Sequence, residues 1–424
     1  MTYQETLAYI YGLGRFGIKP GLERINALLA DIGNPQERVM SVHVVGTNGK
    51  GSTSAFIASI MESAGYRVGL FTSPHLVRFT ERIRISGEEI TTDDVTRITQ
   101  QLMDAASPGT TFFELVTAMA WIYFAEQEVE LAIMEAGMGG RLDATNSSAG
   151  LLSVITPISM EHCEYLGYSL KEIAYEKAGI IKKGRPVVTS TCSLEALEVI
   201  QSECERFSSP LYRFGKEFWG TWEDEGLSYT GINTCLRRLS PGMAGRYQGI
   251  NAATALASAE LLGNTGFRVQ TSTMRRGIEV SSWPGRMEII GEAPRILLDG
   301  AHNPAASLVL AEELSAIHRG RLLLIAGIMA DKDVEDIFRP LFPMSDLVFT
   351  VAPSLERAMD SERLAALCRL SGVKCINSGT VAEGLERAKK EARPEDLILV
   401  SGSLFTVGEA RAILCGERFE PFRG

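Results

Sequence analysis

Short apolar runs bounded by Gly, Asn and Pro alternate along this chain with longer, helix-like segments. The short runs predict buried strands and the longer segments predict helices between them. Residues 41–45, 67–71, 130–134, 151–155, 186–189 and 211–214 read as strands. Residues 2–30 read as helices broken at Gly12, Gly14, Gly17 and Pro20. Further helices are expected at 50–64, 91–106, 111–127, 169–181, 193–206 and 248–262. Segment 215–246, with Trp219, Trp222 and several glycines, reads as an antiparallel excursion. Ser281-Ser282-Trp283-Pro284-Gly285 is rich in turn formers and reads as a linker. Beyond it, strands at 295–298, 321–326, 346–350, 372–375 and 396–401 alternate with helices at 303–317, 333–340, 358–369, 380–391 and 404–414.

Such alternation implies parallel sheets joined by crossover helices. The expected fold is α/β. A P-loop nucleotide-binding domain with a mainly parallel sheet fills residues 1–284, and 285–294 form a linker. A smaller Rossmann-like domain fills 295–424, and no internal repeat or low-complexity tract interrupts the pattern.

Composition narrows the class. With 45% hydrophobic and 22% charged residues, the 424-residue chain is ordinary for a globular protein. Its net charge of −10 argues against a nucleic-acid partner, which needs a basic surface. The apolar run 115–125, between Glu114 and Glu126, is well short of the ~20 residues that span a bilayer and reads as a buried helix. No membrane association is expected. The first residues show no basic segment followed by an apolar core, so no signal peptide is expected. Seven scattered cysteines without a C-x-x-C read as reduced thiols of a cytoplasmic protein.

The most informative run is Gly46-Thr47-Asn48-Gly49-Lys50-Gly51-Ser52, at the junction of a strand and a helix. Glycines let backbone N–H groups approach phosphate oxygens, and the helix N-terminus adds partial positive charge. Lys50 can reach terminal phosphates and Ser52 can ligate Mg²⁺. Val44 stands where a strict Walker A motif has its first glycine. Alone, the run fits either a nucleotide site or a structural Gly-rich turn.

Other polar groups fall at strand ends, where open parallel sheets bind ligands. Ser73 follows the second strand, Glu135 the next, and His162 lies beyond the strand 151–155. With Ser52 they can converge beside the phosphates and offer Mg²⁺ the oxygen-rich, partly hydrated setting it favours. Lys177, in Glu176-Lys177-Ala178-Gly179-Ile180, reads from the residues alone as a solvated lysine favoured by a helix C-terminus. Asp299-Gly300-Ala301-His302-Asn303-Pro304 ends the first strand of the second domain. It serves equally as a cleft motif and as a turn with a helix cap.

Taken together, these motifs resemble the folylpolyglutamate synthase/dihydrofolate synthase family of the Mur ligase superfamily. The resemblance is carried by residues 46–52, 72–75, 111–114, 135–146, 161–162, 176–180, 249–251, 283–286 and 299–304, in family order over most of the chain. The phosphate loop begins 45 residues in, which leaves no room for the UDP-binding domain of the cell-wall ligases. The resemblance implies an ATP-dependent acid–amino-acid ligase that activates a pteroate or folate carboxylate as an acyl phosphate and adds L-glutamate. It implies ATP contacts from residues 46–52, Asn251, Arg286 and Asp299. It implies two Mg²⁺ sites held by Ser52, Ser73, Glu135, His162 and a CO₂-derived carbamate on Lys177. It implies catalytic roles for Lys50, Lys177 and His162. Thr111, Phe113 and Asp143 fall at the pterin site, and His302, Lys332 and Ser403 are candidates for the incoming glutamate. The family has Asp where this chain has Glu161, ahead of the metal histidine. A cytoplasmic monomer acting on dihydropteroate, folates or both is expected. The alternatives are a Mur-type ligase for another carboxylate and a nucleotide-binding regulator without ligase activity. The second has no need of Lys177.

Overall fold

The computed structural model describes residues 1–17, 19–317 and 319–421. Its first sheet comprises β1 (Met40–Val45), β2 (Val68–Phe71), β3 (Ile83–Ile85), β4 (Glu88–Glu89), β5 (Leu131–Glu135), β6 (Leu152–Ile155), β7 (Val187–Thr189) and β8 (Leu211–Arg213), in the order 4-3-2-5-1-6-7-8. The six strands from β2 through β8 in that order run parallel, and β3 and β4 add an antiparallel edge. Side chains alternate across a strand. Leu131 and Ile133 of β5 therefore enter one core, under the helix Lys50–Ser63, while Ala132 and Met134 enter another, against the N-terminal helices. The expected apolar helix is present as Phe112–Glu126, buried along nearly its whole length in that second core.

β9 (Trp219–Glu223), β10 (Gly226–Thr230) and β11 (Cys235–Leu239) form the expected antiparallel excursion. It packs on the helix Gln248–Gly263, where a Cβ on Gly220 would lie 2.7 Å from the Gly249 carbonyl oxygen. The helix Thr271–Val280 crosses Lys50–Ser63 so closely that a Cβ on Gly277 would come 2.6 Å from the Ile60 nitrogen.

The second domain orders β12 (Glu288–Ile290), β13 (Arg295–Leu298), β14 (Leu322–Ala326), β15 (Leu347–Ala352), β16 (Cys375–Thr380) and β17 (Leu397–Ser401) as 12-13-17-14-15-16. All pairs are parallel except β12–β13. Segment 285–294 is thus not a simple linker. Its middle is β12, an edge strand completed by backbone hydrogen bonds to β13. Among the described residues no helix is long and apolar enough to cross a membrane, and all seven cysteines are free.

Candidate active site

The carboxyl ends of β1, β2, β5 and β6 open on a cavity of about 1160 Å³ that also borders the second domain. β1 leads through Gly46 (φ 153°) and Gly49 (φ 84°) into the helix Lys50–Ser63. Both glycines hold backbone angles that disfavour a Cβ. A Cβ on Gly49 would sit 2.5 Å from Asn251 Oδ1, so the loop and the helix Gln248–Gly263 are in close contact. The helix Lys50–Ser63 has Gly49 at its N-cap and, among the described residues, no side-chain cap, so its first N–H groups are open to a ligand beside the cavity. This is the cradle a phosphate needs. Lys50 Nζ meanwhile donates to the carbonyls of Gly46 and Thr47, both at 3.2 Å.

Ser52, Ser73, Glu135 and His162 all line this cavity. The Ser73 N–H donates to Glu135 Oε2 at 3.2 Å, and Gln248 Nε2 donates to Ser52 Oγ at 3.4 Å. Glu135 is only 5% exposed, and burial pushes its carboxyl up to about 7. Lys50, the Ser73 N–H, Arg286 and Arg82 oppose that shift. His162 takes a left-handed conformation (φ 53°) at the start of the short helix Cys163–Leu166. Enclosure by the cavity walls lowers its imidazole to about 4, with Lys332, Lys50 and Lys177 adding to the effect and Glu161 opposing it. Among the described residues no three His, Cys, Asp or Glu side chains cluster as a closed metal cage. Two hydroxyls, one carboxylate and one imidazole around open space suit Mg²⁺, which keeps several of its waters.

Lys177 is not the solvated lysine its local sequence suggests. It is 4% exposed, and its Nζ donates to the Gly46 carbonyl at 2.7 Å. Burial, and then Lys50, lower its amine to about 7.

Thr111, Phe113 and Asp143 lie on another wall of the cavity. Thr111 caps the helix Phe112–Glu126, and its capping partner Glu114 pairs with Arg24 at 3.0 Å. Phe113 lies over the loop after β5, where a Cβ on Gly137 would come 2.7 Å from its ring. Asp143 accepts from the N–H groups of Met138 and Thr145, both at 3.0 Å, so its carboxylate braces the same loop.

The second domain closes the site. Arg286, Asp299, His302, Lys332 and Ser403 line the cavity together with the phosphate loop. Asp299 accepts from the N–H groups of Met287 and Ala301, both at 3.0 Å. Asn303 caps the helix Pro304–Ala316 and also donates to Asn48 Oδ1 at 2.9 Å. The cap and the cleft contact therefore coexist. Ser403 caps the helix Leu404–Cys415. His302 Nε2 and Lys332 Nζ lie 3.3 and 3.9 Å from Glu161 Oε1, so one carboxylate of the first domain gathers both.

Several lining residues carry no site signal in the sequence, and three of them are polar groups beside the motifs already described. Arg82 and Tyr247 face the cavity, and Glu161 was noted only as a departure from the family pattern. The position of Tyr247, four residues before Asn251 at the start of a helix, was the available signal. Arg82 had none, because it lies in β3's approach rather than at a strand end.

Residues 44–259 match the Mur ligase middle domain, and residues 285–404 match the Mur ligase glutamate ligase domain. The dihydrofolate synthase/folylpolyglutamate synthase of Bacillus subtilis (strain 168) is 34% identical over 426 residues, spanning 96% of this chain and 98% of the relative. The structure of E. coli FolC in complex with DHPP and ADP superposes with a TM-score of 0.91 at 30% identity, covering 98% of each chain. The Yersinia pestis bifunctional folylpolyglutamate synthase/dihydrofolate synthase complexed with AMPPNP and Mn ion superposes with a TM-score of 0.88 at 29% identity, again covering 98% of each. Since both ligase domains and the whole length are shared, this chain belongs to the dihydrofolate synthase/folylpolyglutamate synthase family of ATP-dependent ligases.

Proposed function

We propose that this enzyme joins L-glutamate to dihydropteroate and to reduced folates through an acyl phosphate formed from ATP. One observation carries the reading. A phosphate cradle, an oxygen-rich donor set and an aromatic, apolar wall line a single cavity shared by both domains.

Residues 46–52 and Asn251 hold the phosphates from the first domain, and Arg286 and Asp299 reach the nucleotide from the second. The pterin lies against Phe113, whose ring offers a stacking face, with Thr111 and Asp143 beside it. An oxygen of the substrate carboxylate attacks the γ-phosphorus and ADP leaves. Lys50 swings from its loop carbonyls to the transferring group and offsets the charge that grows there. The amine of glutamate, placed by His302, Lys332 and Ser403, attacks the acyl carbon. The C–O bond to phosphate breaks, the amine loses a proton, and an amide and inorganic phosphate remain.

Mg²⁺, when bound, supplies positive charge beside the phosphates. Ser52, Ser73, Glu135 and His162 would hold it, in two sites completed by a carbamate on Lys177. A neutral amine adds to CO₂ and releases a proton, which converts a cation into an anionic oxygen donor. The free cysteines fit a reducing compartment, and the reading is of a cytoplasmic monomer.

The test follows the oxygen atom. With the acceptor carboxylate labelled with ¹⁸O, the acyl-phosphate route delivers one label per turnover to inorganic phosphate. Unlabelled phosphate rules that route out.

A further inference from the structure

The loop between β2 and β3 carries Ser73 and Arg82 to the cavity, yet the second domain grips it. Leu76 and Val77 are buried in that domain's core with Val407 and Ala410. A Cβ on Gly285 would come 2.9 Å from Leu76 Cδ2. Beyond the helix Leu404–Cys415 the chain turns back across the same loop. Glu420 donates its N–H to the Val77 carbonyl at 2.9 Å. Its Oε2 accepts from the Phe79 N–H at 3.0 Å and from the Tyr3 hydroxyl at 3.1 Å. Its carbonyl oxygen lies 2.9 Å from His75 Nε2. Glu417 adds an ion pair to Arg78 at 2.7 Å.

His75 transmits this contact. Arg82 Nε donates to His75 Nδ1 at 2.8 Å, so that nitrogen is an acceptor and Nε2 carries the proton given to Glu420. The Arg82 guanidinium stands 5.2 Å from the centroid of the Phe112 ring and lines the cavity beside Phe113.

We propose that Glu420 is a positioning residue for the acceptor substrate. The strap 417–421 fixes His75, His75 fixes Arg82, and the segment 75–82 is thereby held against the acceptor wall of the cavity, whereas Ser73 is tied separately to Glu135. The inference rests on the ligase reading above. It assigns the strap to the acceptor side because, among the described residues, the bonds it makes to the first domain end on Tyr3, His75, Val77, Arg78 and Phe79 and continue through His75 to Arg82.

The test compares the full-length enzyme with E420A, E420Q and a chain ending at Gly416. Steady-state ligation of dihydropteroate and hydrogen exchange of residues 75–82 are measured in each. E420A loses the side-chain hydrogen bonds from Phe79 and Tyr3 that seat the strap on the loop and keeps the backbone bonds to Val77 and His75. With the strap loosened, the KM for dihydropteroate should rise roughly tenfold while kcat and the KM for ATP stay within about twofold. E420Q keeps an oxygen that accepts from Phe79 and Tyr3 and should behave as wild type. Truncation should exceed E420A, and exchange over 75–82 should quicken in both. If the truncated chain does not fold, E420A and E420Q decide. An unchanged acceptor KM in E420A overturns the proposal, as does a parallel rise in the ATP KM, which marks a general structural loss. A wild-type enzyme without ligation removes the ligase reading instead, and the exchange data then decide the strap.

Discussion

Replacing Lys177 by Met keeps an apolar stem in a buried slot and removes the amine. In the folded chain that amine is lowered to about 7, first by burial and second by Lys50, while Glu161 and Asp143 oppose the shift. Near neutral pH a substantial fraction of Lys177 is therefore neutral, against roughly one part in a thousand for an ordinary lysine. Only the neutral amine adds to CO₂, so the pocket raises the reactive fraction by about two orders of magnitude or more. The carbamate nitrogen keeps one hydrogen, enough to donate to the Gly46 carbonyl that Nζ now meets at 2.7 Å. Its two oxygens then become available to a metal. The sign with pH follows: carbamate occupancy falls as pH drops through about 7, where the amine takes up its proton. Enzyme equilibrated with ¹³C-bicarbonate should show a carbamate carbonyl resonance that K177M lacks. K177M should lose ~10²–10³ in kcat, the scale for removing one preorganised charge-stabilising group. A wild-type enzyme with no such resonance, or a K177M variant with undiminished turnover, refutes the reasoning.

Gly137→Ala would place a methyl 2.7 Å from the Phe113 ring and push the ring back by about 1 Å, a displacement that can cost up to ~10²-fold at a reacting centre. The KM for dihydropteroate should rise while the KM for ATP holds, and an unmoved acceptor KM would contradict the stacking role. His43 is buried with Nε2 2.6 Å from Thr145 Oγ1, and burial, aided by Lys182, lowers its imidazole to about 3. Between pH 6.5 and 3 the unfolded chain takes up a proton that the native one refuses, so stability falls with falling pH. The loss from this group is ~2 kcal/mol between pH 7.5 and 5. Urea unfolding should show that slope flattened in His43→Gln, and an identical slope in both proteins would count against it.

Most of the parallel strands were legible because they are apolar runs that stand out, but β16, an edge strand of mixed polarity expected at 372–375, runs instead over Cys375–Thr380, where pairing with β15 sets it. Leu131 to Met134 feeds two cores at once and so carries no polar position. β3 and β4 were not, since three- and two-residue edge strands are set by pairing with neighbours rather than by their own pattern. β12 was hidden for the same reason, flanked by Gly285 and Gly291 and completed only by β13. Within the site, the phosphate loop and Glu135 announce themselves by residue type at strand ends. The burial of Lys177 could not be read locally, because it depends on the Gly46 carbonyl 131 residues away in sequence. Glu161 is similar: what it gathers, His302 and Lys332, belongs to another domain. Leu76 and Val77 look like part of an ordinary loop until the second domain's core closes over them.

The most direct test of the account is phosphate release by the purified enzyme with ATP and Mg²⁺, with products weighed by mass. Glutamate is present or absent, and dihydropteroate or tetrahydrofolate serves as acceptor. The account predicts phosphate release only when glutamate and an acceptor are both present. Each acceptor should gain the mass of one glutamate residue, dihydropteroate becoming dihydrofolate. Phosphate release without glutamate, or no mass gain on either acceptor, contradicts it.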